Sequence, residues 1–337
     1  MKKILLISTG GTMGMEASTE GRVDSSHFID EILHYVPELR KIAHVDMECP
    51  FTMDSSDFGI HQWIALGQLL DENMDNYDGF VIIHGTDTMS YTACALSYML
   101  INLPKPIILT GSQRPLAAIR TDARANLVQA LELATKDITE VCLFFDNKLY
   151  RGNRTKKVSI DEFDAFSSPN FPCLAVVGLN IEQQTRHRRP AGLFRLEPRF
   201  DDRVIALKCF PSFRPKYWQH LLETDVSIVV LEAFGAGNIP MFDGEMFQFI
   251  QSFTEAGKLV VICSQSVEGE CDLTLYENGQ KALEAGAISG KDMTFEATVV
   301  KAMFLLGLYN GNVKRVRHYF HAPIAGEISE PEQQSFL

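Results

Sequence analysis

The sequence predicts an α/β protein, with a doubly wound, mostly parallel sheet in a larger N-terminal domain and a smaller α/β domain at the C-terminal end. Three observations carry this. Short aliphatic runs without polar alternation recur along the chain, as strands buried on both faces require. Stretches with apolar residues at helical spacing lie between them. Glycines and small polar residues follow strand after strand, so they collect at the carboxyl edge of the sheet, where open α/β sheets bind ligands.

The first strand is read at Ile4-Leu5-Leu6-Ile7, followed by Thr9-Gly10-Gly11-Thr12. Asp54-Ser55-Ser56-Asp57 reads as a capping sequence before a helix that begins near Ile60. The next strand, Phe80-Val81-Ile82-Ile83, ends in His84-Gly85-Thr86-Asp87-Thr88 and a helix from Thr92 to Leu100. Pro106 to Leu109 is a strand ending in Thr110-Gly111-Ser112-Gln113, and Leu127, Val128, Leu131 and Ala134 mark one face of a helix. Val141 to Phe145 and Leu174 to Val177 complete the strands of the larger domain. Val204 to Leu207, Val226 to Leu231 and Leu259 to Cys263 are strands of the smaller one, with a helix marked by Met246, Phe249, Ile250 and Phe253. The last element is a helix capped by Asp292, running through Phe295, Val299, Met303 and Leu306 and ending before Gly307. Periodicity fails between Gly178 and Asp202, where arginines and prolines gather. The predicted division is therefore 1–180 for the N-terminal domain, 181–203 for a linker and 204–337 for the C-terminal domain.

Composition narrows the function. With 31 Lys+Arg against 43 Asp+Glu in 337 residues, the net charge of −12 repels nucleic-acid backbones and anionic membranes. A small zwitterionic or neutral ligand suits it better. The seven cysteines show no C-x-x-C spacing and read as reduced core residues. Neither a signal peptide nor a membrane-spanning run is legible, which leads to the expectation of a cytoplasmic protein. The histidines have no metal-ligand spacing, and neither metal nor cofactor is called for.

Thr12, Thr86, Asp87 and Lys157 are the residues that chemistry would need. A side-chain nucleophile requires a hydroxyl and a group to accept its proton, and these four supply hydroxyls, a carboxylate and an amine. Each has a plainer reading alone: Thr12 in a turn or phosphate loop, Asp87 as a helix cap, and Lys156-Lys157 as surface charge. Thr12 lacks both G-x-G-x-x-G spacing and a Gly-Lys-Ser/Thr ending. His84, beside apolar strand residues, reads as a structural histidine. The two threonines at neighbouring strand ends, with a carboxylate beside one of them, are the signal.

In order along the chain, Thr-Gly-Gly-Thr12, Asp54-Ser-Ser-Asp, His84-Gly-Thr-Asp-Thr, Thr110-Gly-Ser-Gln-Arg-Pro, Arg151-Gly-Asn-Arg-Thr before Lys157, Phe163-Asp-Ala-Phe-Ser-Ser-Pro-Asn and Gly-Ala-Gly-Asn238 resemble the bacterial type I, cytoplasmic L-asparaginases. The resemblance implies hydrolysis of L-asparagine through an acyl-threonine on Thr12, with Thr86, Asp87 and Lys157 as the second catalytic group. It implies that Asp54, Ser55 and Ser56 line the pocket for the substrate's α-carboxylate, that Thr86 and Asp87 also contact substrate, and that Asp87 holds the α-ammonium. It further implies a homo-oligomer, a dimer of dimers in which Asn238 contributes to the partner subunit's site. Two positions depart from that pattern. Arg22 stands where the mobile loop usually carries a tyrosine, and Glu232 and Ser266 stand where some relatives have the arginine and cysteine of an asparagine effector pocket. The rival readings are the amidase-like subunit of a tRNA-dependent amidotransferase, which usually carries an extra N-terminal domain, and a non-catalytic amino-acid sensor.

Overall fold

The computed structural model describes residues 1–14, 32 and 34–329. The chain forms two compact units, Met1–Ser168 with Pro172–Pro198, and Pro169–Phe171 with Arg199–Leu337.

The strands of the first unit are β1 (Lys3–Ser8), β2 (His44–Glu48), β3 (Gly79–Ile83), β4 (Leu100–Ile101), β5 (Ile107–Thr110), β6 (Val141–Phe145), β7 (Lys148–Arg151), β8 (Lys156–Lys157), β9 (Phe166–Ser167), β10 (Ala175–Val177), β11 (Ile181–Gln183) and β12 (Arg195–Leu196). Eight of them form one sheet in the order β11-β10-β7-β6-β5-β3-β1-β2. From β2 to β6 the neighbours run parallel. β1, β3, β5 and β6 are buried almost throughout, because helices cover both faces of such a sheet. The chain leaves β1 for β2 on one side and returns to β3 on the other. That reversal of winding opens a crevice between the carboxyl ends of β1 and β3, the place where an open α/β sheet receives its ligand.

Several expectations change here. The strand expected at Leu174 to Val177 is β10, and it pairs antiparallel with β7 and β11, as β7 does with β6. The β6–β7 connection is a tight turn with Asp146 and Asn147 at positive φ, too short to cross over for a parallel return. Pro106 lies outside β5, as its missing N–H suits a strand's entrance, although its carbonyl accepts from Phe80 N at 2.9 Å. The stretch 181–203, expected as a linker, carries β11 and β12. β12 pairs with β4, and the compact units divide between Pro198 and Arg199.

In the second unit β13 (Val204–Lys208), β14 (Ile228–Ala233), β15 (Leu259–Ser264) and β16 (Ile288–Ser289) form a four-stranded parallel sheet in that order. Glu245–Glu255 packs Met246, Ile250 and Phe253 into its core, as the spacing predicts. The helix expected after Asp292 is Phe295–Leu308, and its cap is Thr294, whose side chain accepts from Ala297 N. Asp292 instead accepts from Ser329 N at 3.0 Å, so a tertiary partner takes the carboxylate that the local pattern assigned to the helix. Asn170 ties its three-residue segment into this unit, donating to the carbonyls of Gly269 and Asp292 and accepting from Gly269 N.

Candidate active site

Four segments of the first unit meet at the β1–β3 crevice. The loop after β1 is pinned to the end of β3 by Thr9, whose N–H and hydroxyl both donate to Ile83 O at 3.0 Å. Gly11 (φ +89°) lies against the His84–Gly85 backbone so closely that a Cβ there would sit 2.6 Å from Gly85 Cα. On its other flank Gly85 meets Ser55, whose Cβ and Oγ a Cβ on Gly85 would approach to 2.6 Å. Glycine is required at both places because three backbones are in contact there. Thr12 opens the short helical turn Thr12–Gly14, held by the buried Met13 side chain and by Leu116 N donating to Met13 O. Its hydroxyl has no hydrogen-bond partner among the described residues.

Lys157 reaches the crevice from β8. Pairing with β9 sets Lys157 opposite Phe166, which packs on Phe145 at 5.0 Å between ring centroids. Before it, Thr155 donates to Gly152 O and bonds Ser90 on the helix Met89–Met99. Upstream, the buried Arg151 grips Glu140 with two bonds, of 2.6 and 3.1 Å. From this anchored base Lys157 Nζ donates to Thr86 Oγ1 at 2.8 Å and to Asp87 Oδ1 at 2.6 Å. Lys157 is mostly buried (18% side-chain exposure) and Asp87 is open to solvent (66%). The amine therefore sits at the floor with the carboxylate at the mouth. Asp87 is not the helix cap: Thr88 holds that position, and its hydroxyl donates to Ser55 O at 2.6 Å.

Asp54 caps the short turn Ser55–Asp57, its Oδ1 accepting from Ser56 N (2.8 Å) and Ser56 Oγ (2.7 Å). These bonds, the side-chain one first, hold the carboxyl below its ordinary value. Thus Thr86, Asp87 and Lys157 are brought into direct contact, and Ser55 is set against Gly85 beside them. Arg22 lies outside the described residues. Asn238 belongs to the second unit, in the turn after β14, where its N–H donates to Phe234 O and its Oδ1 is buried with no partner among the described residues.

Beneath the crevice lies a feature that the sequence showed only as a structural histidine. His84 Nδ1 is 2.8 Å from Gly85 O, His84 Nε2 is 2.9 Å from Thr92 Oγ1, and Trp63 Nε1 donates to Thr92 Oγ1 at 3.1 Å. Thr92 and Trp63 lie too far along the chain to be linked to His84 by pattern. Complete burial pushes the imidazole down to about 4, so the ring is neutral at pH 7. Because the unfolded histidine titrates near 6.5, its contribution to stability is present in full above that pH and is lost as pH falls through about 4. We expect the wild type to lose about 2 kcal/mol more between pH 7 and 4.5 than a His84→Asn variant, measured by denaturant unfolding. Equal losses would show that His84 does not titrate in this way.

A hydroxyl, an amine and a carboxylate thus meet where a parallel sheet reverses its winding, the place where an α/β protein receives its ligand. The models of the asparaginase N-terminal domain and the glutaminase/asparaginase C-terminal domain match residues 3–189 and 203–320. The chain belongs to the asparaginase family. It is 40% identical over 334 residues to L-asparaginase 1 of Escherichia coli strain K12, covering 97% of this chain and 98% of that one. The solved structure of the thermostable L-asparaginase from Thermococcus kodakarensis matches with a TM-score of 0.90 at 33% identity, covering 98% and 100% of the two chains. That of L-asparaginase I from Vibrio cholerae matches at 0.88 and 37% identity, covering 98% and 99%.

Proposed function

We propose that this enzyme hydrolyses L-asparagine to L-aspartate and ammonia by two displacements, with Thr12 as the nucleophile. The observation that carries the reading is Lys157 Nζ joined to both Thr86 Oγ1 and Asp87 Oδ1 across the crevice from the Thr12 loop. The family membership and the full-length likeness to L-asparaginases support it. In the first displacement Thr12 Oγ attacks the side-chain carboxamide carbon, and the hydroxyl proton passes to the departing ammonia. Backbone N–H groups near Thr12 and Thr86 take up the charge on the carbonyl oxygen. In the second, a water activated beside Thr86 and Lys157 attacks the acyl carbon, returns the proton to Thr12 and releases aspartate. Thr86 serves as the link: accepting from Lys157, its hydroxyl keeps its own proton free to hand on.

Asp54, Ser55 and Ser56 line the pocket for the α-carboxylate and neighbouring atoms, with Asp54 holding the Ser56 hydroxyl, and Asp87 at the open mouth holds the α-ammonium. Asn238 serves the partner subunit's site in a cytoplasmic homotetramer, a dimer of dimers. The test is ammonia release from asparagine and from glutamine by purified protein. Release from asparagine supports the reading; release from neither removes it and leaves an amino-acid sensor.

We expect no activation of this enzyme by asparagine at a second site. Glu232 stands on β14 opposite Lys208 on β13, with Nζ and Oε2 3.6 Å apart. A second carboxylate brought within 4 Å of Glu232 would meet a repulsion of about 4 kcal/mol at an effective dielectric near 20, before solvation offsets it. A typical coupling free energy is only about 1 to 3 kcal/mol. We expect rate curves hyperbolic in asparagine, and a sigmoid curve that flattens in Glu232→Ala would contradict this.

A further inference from the structure

The His84 hydrogen bonds can be given directions from the donor inventory alone. An indole N–H only donates and a carbonyl oxygen only accepts, so Trp63 donates to Thr92 and His84 Nδ1–H donates to Gly85 O. The Thr92 hydroxyl, having accepted from Trp63, spends its single proton on His84 Nε2. One tautomer, protonated on Nδ1, satisfies every group, and the low proton affinity of the buried ring agrees with it. Phe58 packs edge-on against the imidazole at 4.6 Å and fixes its plane.

The chain of bonds ends on a peptide that matters. In a trans peptide the carbonyl and the following N–H point in opposite directions. Gly85 O is held down toward the buried ring, so the Thr86 N–H faces the other way, away from that ring. That N–H has no acceptor among the described residues. Gly85 has no side chain to resist rotation of this peptide unit, so some other group must set its plane.

We propose that His84 is a positioning residue, whose Nδ1–H clamps the Gly85 carbonyl and thereby aims the Thr86 N–H at the developing oxyanion. This rests on the asparagine-hydrolysis reading. The clamp acts in the transition state, so its loss lowers kcat and leaves KM nearly unchanged. Two variants separate it from simple core filling. His84→Asn places an amide N–H where Nδ1–H was but is much smaller than histidine. His84→Gln is nearer in size but places its amide toward Thr92.

The experiment measures kcat and KM for asparagine on both variants and on Thr92→Val, with each preparation scaled to its folded fraction. We expect His84→Gln to lose about 10- to 100-fold in kcat at similar KM, with His84→Asn and Thr92→Val staying within about threefold of wild type. The reverse order, Gln better than Asn, would mean that the ring only fills space and would overturn the inference. Should neither His84 variant fold, long-range proton–nitrogen correlation on histidine-labelled wild type decides: an Nδ1-protonated ring supports the clamp and an Nε2-protonated ring refutes it. A wild type inactive on asparagine overturns the hydrolysis reading and this inference together. An active wild type with the reversed order overturns this inference alone.

Discussion

Thr12→Ala is expected to fold as the wild type does and to lose at least about a thousandfold in kcat. The fold survives because Thr12 sits in a short turn, only partly buried, with a hydroxyl that has no partner among the described residues. Such a substitution changes stability by no more than about 0.5 kcal/mol. Activity is lost because no acyl intermediate can form without Oγ, and the remaining groups of the crevice can only assist direct attack by water. Thermal unfolding and steady-state ammonia release check the two halves separately. A variant that keeps a tenth of wild-type turnover would show that Thr12 is not the nucleophile.

Lys157→Met carries the second large effect. Methionine retains much of the aliphatic stem, so the packing of β8 against β9 survives. Asp87, left without its cation, is well exposed and remains hydrated, so no buried charge is stranded. Turnover is expected to fall by about 10² to 10⁴, the range of a general acid or base, with a smaller change in KM. Lys157→Arg sharpens the test, since a guanidinium keeps the positive charge but does not give up its proton. If arginine restores turnover, the lysine acts through its field alone. A normal kcat with only a raised KM would make it a binding residue.

The buried parallel strands were legible because burial on both faces leaves an unbroken aliphatic run, as in Ile4–Ile7 and Phe80–Ile83. Strands with one wet face were not. β2, His44-Val45-Asp46-Met47-Glu48, is a half-exposed edge strand whose charged residues reach solvent, and nothing local distinguishes it from a loop. The antiparallel direction of β10 follows from the β6–β7 hairpin, a relation between distant segments. Asp292 and Thr294 are both good caps two residues apart, and only the fold, by bringing up Ser329, decides between them.

The site divides in the same way. Thr12, Thr86 and Asp87 were legible because strand ends in an open sheet converge by topology. Lys157 was not distinguishable from its neighbour Lys156 without the motif around it. What separates the two is geometry, since side chains in a strand alternate faces and only Lys157 points at Thr86. Thr92 and Trp63 gave no signal at all: a buried threonine in an apolar helix reads as core until the histidine beneath the crevice is seen to need a donor.

The central claim is the covalent step on Thr12, and rapid quenching of wild type during turnover tests it most directly. Acid-quenched protein, digested and mapped by mass spectrometry, should carry an aspartyl adduct on the peptide containing Thr12, at the oxygen of that residue. An adduct on Thr86 would mean that the two threonines exchange roles. Full turnover of asparagine with no adduct on either threonine, under conditions that preserve acyl esters, would contradict the two-displacement account.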